Sequence, residues 1–91
     1  MPTVLAGIQL LPNQKEDYTD GIIKNSLEVI EESGLRYVVG PLETVVEGDF
    51  DSVMNLLNDI QKKAVKSGAK ELVTNVKIHY RSQGVTFEDK K

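Results

Sequence analysis

Apolar and polar positions along this chain fall into blocks whose spacing changes from strand-like to helical and back. Residues 3–11 (TVLAGIQLL) are rich in branched side chains and stop at Pro12, which cannot donate to a continuing ladder, so they predict a strand. A polar loop, PNQKED, occupies 12–17. From Tyr18 to Ser33, Ile23, Leu27 and Ile30, flanked by Ile22 and Ser26, mark one helical face. Asp17 is placed to cap that helix and Gly34 to stop it. Two β-branched stretches, 35–39 and 43–47, flank the turn dipeptide Gly40-Pro41 and predict a hairpin. Between Asp49 and Lys66, Phe50, Val53, Met54, Leu57, Ile60, Gln61 and Ala64 recur at amphipathic-helix spacing, and Gly68 ends the run. Residues 70–81 alternate, with Leu72, Val76, Ile78 and Tyr80 on one side and Asn75, Lys77, His79 and Arg81 on the other. That is a half-exposed strand. In the tail SQGVTFEDKK, Val85 and Phe87 alternate, so residues 81–91 predict a short extra strand or a segment docked on a neighbour.

The predicted order is β-α-β-β-α-β. Ser33-Gly34-Leu35-Arg36 and Ser67-Gly68-Ala69-Lys70 each close a helix and open a strand, a faint internal repeat. Two such halves predict one α+β domain over 1–91, a ferredoxin-like βαββαβ sandwich with an antiparallel sheet and two helices on one face. The other sheet face then lacks a covering layer. On the first strand it carries either Val4, Ala6, Ile8 and Leu10 or Leu5, Gly7, Gln9 and Leu11, and both sets are largely apolar. Sheets apolar on both faces are covered on both, so a second subunit is the expected cover and the protein is expected to be an oligomer.

Composition narrows the chemistry. The chain has 91 residues, too few to enclose a large site beside a full core. It has no cysteine, which excludes disulfides, thiolate metal sites, iron–sulfur clusters and a cysteine nucleophile. A formal net charge of −3 argues against nucleic-acid binding, which needs a basic stripe. No apolar run reaches membrane-helix length, and the N-terminal stretch lacks a basic region and reads as a strand, not a signal peptide. A cytoplasmic location is the resulting expectation.

Catalytic patterns are missing. His79 is the only histidine, so neither a metal constellation nor a supported serine triad can be assembled. There is no glycine-rich phosphate loop, and Arg81 with Asn75 evokes an acylphosphatase-like site only weakly. No enzyme, cofactor or metal is therefore expected. The distinctive segment is Tyr37–Gly48 (YVVGPLETVVEG), which sets an aromatic, a hydroxyl and two carboxylates around a rigid turn before a helix. It reads either as a hairpin with a capping turn or as a polar wall for a small ligand.

The run ESGLRYVVGPLETVVEGDFDSVMNLL, with the strand ending in LLP before it and VTNVKIHY after it, resembles the thiamine-binding domain family. These are small ferredoxin-like proteins related to the YkoF-type hydroxymethylpyrimidine/thiamine-binding proteins. The resemblance extends to the tail GVTFEDK. It implies a non-enzymatic carrier or sensor of thiamine or its pyrimidine moiety, forming dimers and tetramers. Matched onto this chain, it implies Thr44 and Glu47 as polar contacts and Tyr37 as an aromatic wall, with Glu43, Asn75 and His79 as further ligand-binding candidates and Gln9 as a contributor. The alternative from another class is an oligomeric interaction module without a small-molecule ligand.

Overall fold

The computed structural model describes residues 2–12 and 16–90. Strand β1 (Thr3–Pro12) is followed by α1 (Glu16–Glu32), β2 (Arg36–Val39), β3 (Thr44–Asp49), α2 (Phe50–Lys66) and β4 (Leu72–His79). Helix α1 begins at Glu16, so Asp17 lies inside the helix and does not precede it as a cap. Most of the expected loop, residues 13–15, lies outside the described residues. Asp49 caps α2: its carboxylate accepts from the Ser52 amide at 3.2 Å and from the Ser52 hydroxyl at 2.6 Å. Gly34 and Gly68, with φ of +78° and +105°, make the left-handed turns that leave the two helices. A side chain is disfavoured in that conformation, which explains why both repeats carry glycine there.

The sheet is antiparallel with strand order β2-β3-β1-β4, the ferredoxin-like arrangement, with β3 and β1 paired at its centre. Register sorts the faces. Val46, Ala6 and Ile78 share one row across β3, β1 and β4, and Thr44, Ile8 and Val76 share the next. Val4, Ala6, Ile8 and Val46 are buried with Ile30 of α1 and Val53, Leu56 and Ile60 of α2, so these rows face the helices. Gln61 reaches from α2 to Thr74 of β4 at 2.8 Å, fixing the helix over the same face.

Two details depart from the expected periodicity. Met54 is exposed, and Leu56 fills the core instead, because α2 is rotated so that Val53, Leu56, Ile60 and Ala64 point inward. On α1 the buried positions are Ile22, Ser26 and Ile30, while Ile23 lies at the surface. Ser26 tolerates burial by donating its hydroxyl to the Ile22 carbonyl at 2.8 Å. This rotation releases Ile23 and Leu27 from the core centre and turns them toward the flank of the sheet.

The opposite face carries Leu5, Gly7, Gln9 and Leu11 of β1, and it is covered at one end only. Residues 81–90 fold back over it without forming a strand, ending in a 3-10 turn at Phe87–Lys90. The tail touches all four strands. The Val85 amide donates to Thr3 at 2.8 Å, and the Phe87 amide donates to Glu47 at 2.8 Å. Arg36 packs over the Phe87 ring at 5.3 Å, and Lys90 Nζ lies 2.7 Å from His79 Nδ1. Glu47 and His79 are the two cross-strand neighbours of Leu5, so the tail closes over Leu5, which is 5% exposed.

Candidate functional site

A cavity of about 300 Å³ opens where α1 passes the β2–β3 turn. Its apolar wall comes from Ile8 and Leu10 of β1, Ile23, Leu27 and Ile30 of α1, and Ile60 of α2. The turn residues Gly40, Pro41, Leu42 and Glu43 close one side, followed by Thr44. The turn is tight because the Gly40 amide donates to the Glu43 carbonyl at 2.9 Å. A Cβ at Gly40 would sit 2.9 Å from that oxygen, so the closure needs glycine. Thr44 lies opposite Ile8 in the ladder, so its side chain shares the helix-facing side with the core. It is half-buried, and its hydroxyl has no hydrogen-bond partner among the described residues. Volume, apolar walls and a single free hydroxyl suit a small, flat, mostly apolar ligand.

The six site residues expected from sequence do not converge. Thr44 and Glu43 border this cleft. Strand alternation sends the Glu43 side chain the other way, over the open face, where its carboxylate covers Gly7. A Cβ at Gly7 would lie 2.7 Å from Glu43 Cδ, so only glycine leaves room for this placement. Asn75 sits beside it on the open face and bonds to Gln9 at 3.4 Å. Lys77, which was not among the expected site residues, lies opposite Gly7 on the same face. Tyr37 is on the helix-facing side but lines a neighbouring depression along α1.

Glu47 and His79 have other occupations. Glu47 bonds Arg36 at 3.1 Å as well as the Phe87 amide, and His79 meets Lys90. Both belong to the clasp that holds the tail. Arg36 also reaches Glu88 at 3.3 Å, and the Glu88 hydrogen bond, followed by the charge of Glu47, raises the guanidinium above its ordinary value. Asp89 accepts from the Thr86 amide at 2.8 Å and faces Arg81 at 3.2 Å. The Thr86 hydrogen bond foremost lowers the Asp89 carboxyl below its usual range. The cleft residues missed from sequence, Ser26, Leu27 and Ile30, carry a pattern that reads equally as core. Their role depends on the helix rotation, which periodicity does not resolve.

Among the described residues no group of three or more histidine, aspartate or glutamate side chains could hold a metal ion. No described helix is long and apolar enough to cross a membrane.

Comparison with known proteins gives consistent results. The family model for "thiamine-binding protein" matches residues 6–91. A UPF0045 protein of Clostridium perfringens is 31% identical over 90 residues, covering 99% of this chain and 95% of its own length. A solved domain of unknown function from Bacillus cereus is 36% identical with a TM-score of 0.90, covering 98% of this chain and 86% of that one. A Thermotoga maritima structure, provisionally assigned to thiamine biosynthesis or salvage, is 30% identical with a TM-score of 0.90, covering 98% and 95% of the respective chains. The role that goes with this membership is non-enzymatic binding of a small molecule. The chain belongs to the thiamine-binding protein family.

Proposed function

We propose that the protein is a carrier or sensor that binds thiamine or its hydroxymethylpyrimidine moiety in the cleft beside the Gly40–Thr44 turn. One observation carries this reading: a half-buried, unpartnered Thr44 hydroxyl opens into an apolar cavity of about 300 Å³. An aminopyrimidine is apolar on both faces and hydrogen-bonds only at its edge, through an amine donor and ring-nitrogen acceptors. Apolar side chains on α1 and β1 can take the faces while Thr44 and the turn backbone take the edge.

The same proposal gives the open face to a second copy of the chain, in a cytoplasmic dimer or tetramer. Leu11, Val38 and Val73 are 43%, 54% and 52% exposed there, around the Glu43, Gln9 and Asn75 group. This exposed apolar set also favours the second reading, an interaction module in which association is the function and no small ligand binds.

Calorimetric titration with thiamine, hydroxymethylpyrimidine and an unrelated pyrimidine separates the two. Saturable heat with either of the first two, and none with the third, supports the binder. No heat and no thermal shift with any of them leaves the interaction module.

A further inference from the structure

A second depression adjoins the cleft along α1. Ile23 and Leu27 line the cleft from one side and also line this depression of about 520 Å³, whose other residues are Lys24, Glu28, Glu31 and Tyr37. The arrangement follows from two periodicities. Positions 24, 27, 28 and 31 of α1 form one helical stripe, rotated away from the buried Ile22, Ser26 and Ile30. Tyr37 stands on the edge strand β2, in the row of Val46, so its ring points to the helix side with no further strand beyond it. The ring is 38% exposed. Neither its hydroxyl nor the carboxylates of Glu28 and Glu31 have a partner among the described residues. The two carboxylates outnumber the one ammonium of Lys24, which forms no ion pair with them within 4 Å, so the depression carries an excess of negative charge.

The two compartments differ in chemistry while sharing a wall. The inner one is apolar with a hydroxyl, suited to an uncharged heterocycle. The outer one pairs an apolar floor and an aromatic face with two carboxylates, suited to a flat organic cation. We infer that the depression between Tyr37, Glu28 and Glu31 is a second subsite that takes the cationic heterocycle of a two-ring ligand, and that it selects the free alcohol over its phosphate esters. The inference rests on the proposed thiamine-binding role of the adjoining cleft. Thiamine joins a neutral aminopyrimidine to a quaternary thiazolium, so the inner compartment reads one half and the outer compartment the other. A phosphate on the thiazolium side chain would bring negative charge toward Glu28 and Glu31. Like charges there disfavour it, and salt weakens both effects because the carboxylates are exposed.

The test compares thiamine, hydroxymethylpyrimidine and thiamine diphosphate on the full chain, titrated calorimetrically at low and high salt. Wild type should bind thiamine more tightly than either of the others. Glu28→Gln with Glu31→Gln should weaken thiamine by about three- to tenfold, change hydroxymethylpyrimidine less than about twofold, and narrow the gap to the diphosphate. Tyr37→Leu should weaken thiamine by about two- to fivefold with the same selectivity. Asp51→Asn with Asp59→Asn, a charge change of equal size on α2 outside both compartments, should leave all three affinities in place. If both compounds bind wild type and the variants weaken them equally or not at all, the second subsite is overturned while the cleft stands. If wild type binds neither thiamine nor hydroxymethylpyrimidine, the reading of the cleft falls and the subsite with it.

Discussion

Glu47→Ala separates a ligand contact from a structural clasp. The Glu47 side chain is 10% exposed and accepts the Phe87 amide at 2.8 Å, so its loss removes a hydrogen bond to an ionised acceptor. Such bonds contribute about 1.5–3 kcal/mol. Its second bond, to an Arg36 side chain that is 60% exposed and shared with Glu88, adds little. The tail as a whole should stay docked, because Val85 is fully buried and its amide remains bonded to Thr3. The expected loss is therefore about 2 kcal/mol, and at about 4–8 °C per kcal/mol for a domain of this size, Tm falls by about 8–16 °C. Thermal denaturation gives the total, and amide hydrogen exchange locates it: Phe87 loses protection while Val85 keeps it. Thiamine affinity should change less than about twofold, since Glu47 lies at the far end of the opposite sheet face from the cleft. An unchanged Tm with intact Phe87 protection and a tenfold loss of affinity would refute the clasp and return Glu47 to the ligand.

Thr44→Val keeps the shape of the side chain and removes an unpartnered hydroxyl, so stability should hold while thiamine affinity falls by about two- to tenfold, the worth of one neutral hydrogen bond, read by calorimetry. The Asp49 carboxyl sits below its ordinary value, chiefly through the Ser52 hydroxyl and then the Ser52 amide. A depressed carboxyl stabilises the fold above its unfolded value of about 3.9 and loses that contribution as pH falls through the folded value. The Tm advantage of wild type over Asp49→Asn should therefore be full at pH 7 and shrink in acid below about pH 4; an advantage that does not change with pH would place the cap's effect elsewhere. Val73→Asp puts a charge into the exposed end of the open face and should convert a dimer to monomers in sedimentation analysis without shifting the monomer's Tm. A variant that sediments like wild type would remove this face from the interface.

Element type and order were legible because each run of apolar residues is long enough to show its period. The first strand, the glycine stops at 34 and 68 and the Gly40-Pro41 turn all appear where the sequence predicts them. Helix orientation was less legible. Ile22, Ile23, Ser26 and Leu27 occupy a broad stripe, and a rotation of a few tens of degrees decides which of them are core and which line a cleft. The site was partly legible. The distinctive Tyr37–Gly48 segment does border the cleft through Gly40–Thr44, but strand alternation divides its polar residues between two faces. Thr44 goes to the helices, while Glu43 and Glu47 go to the open face. Spacing shows that division in principle. What it does not show is that the tail returns to occupy Glu47 and His79, because those contacts join residues 40 and 11 positions apart with no shared pattern.

That division bears on the two functional readings. Adjacent residues of the same strands build both surfaces: Ile8 and Thr44 line the cleft, while Gly7, Gln9 and Glu43 form the open face behind it. The tail covers the row of Arg36, Glu47, Leu5 and His79 and leaves bare the rows nearest the cleft. A second copy would press on β1 and β3 directly behind the ligand wall, and Gly7 lets the Glu43 carboxylate lie flat where that copy would rest. Close-packed strands transmit such contacts because a backbone shift that moves one face moves the other. On the proposed reading, binding and association would draw on one pair of strands, and a ligand that strengthened association by some factor would itself be bound more tightly by the same factor in the associated form.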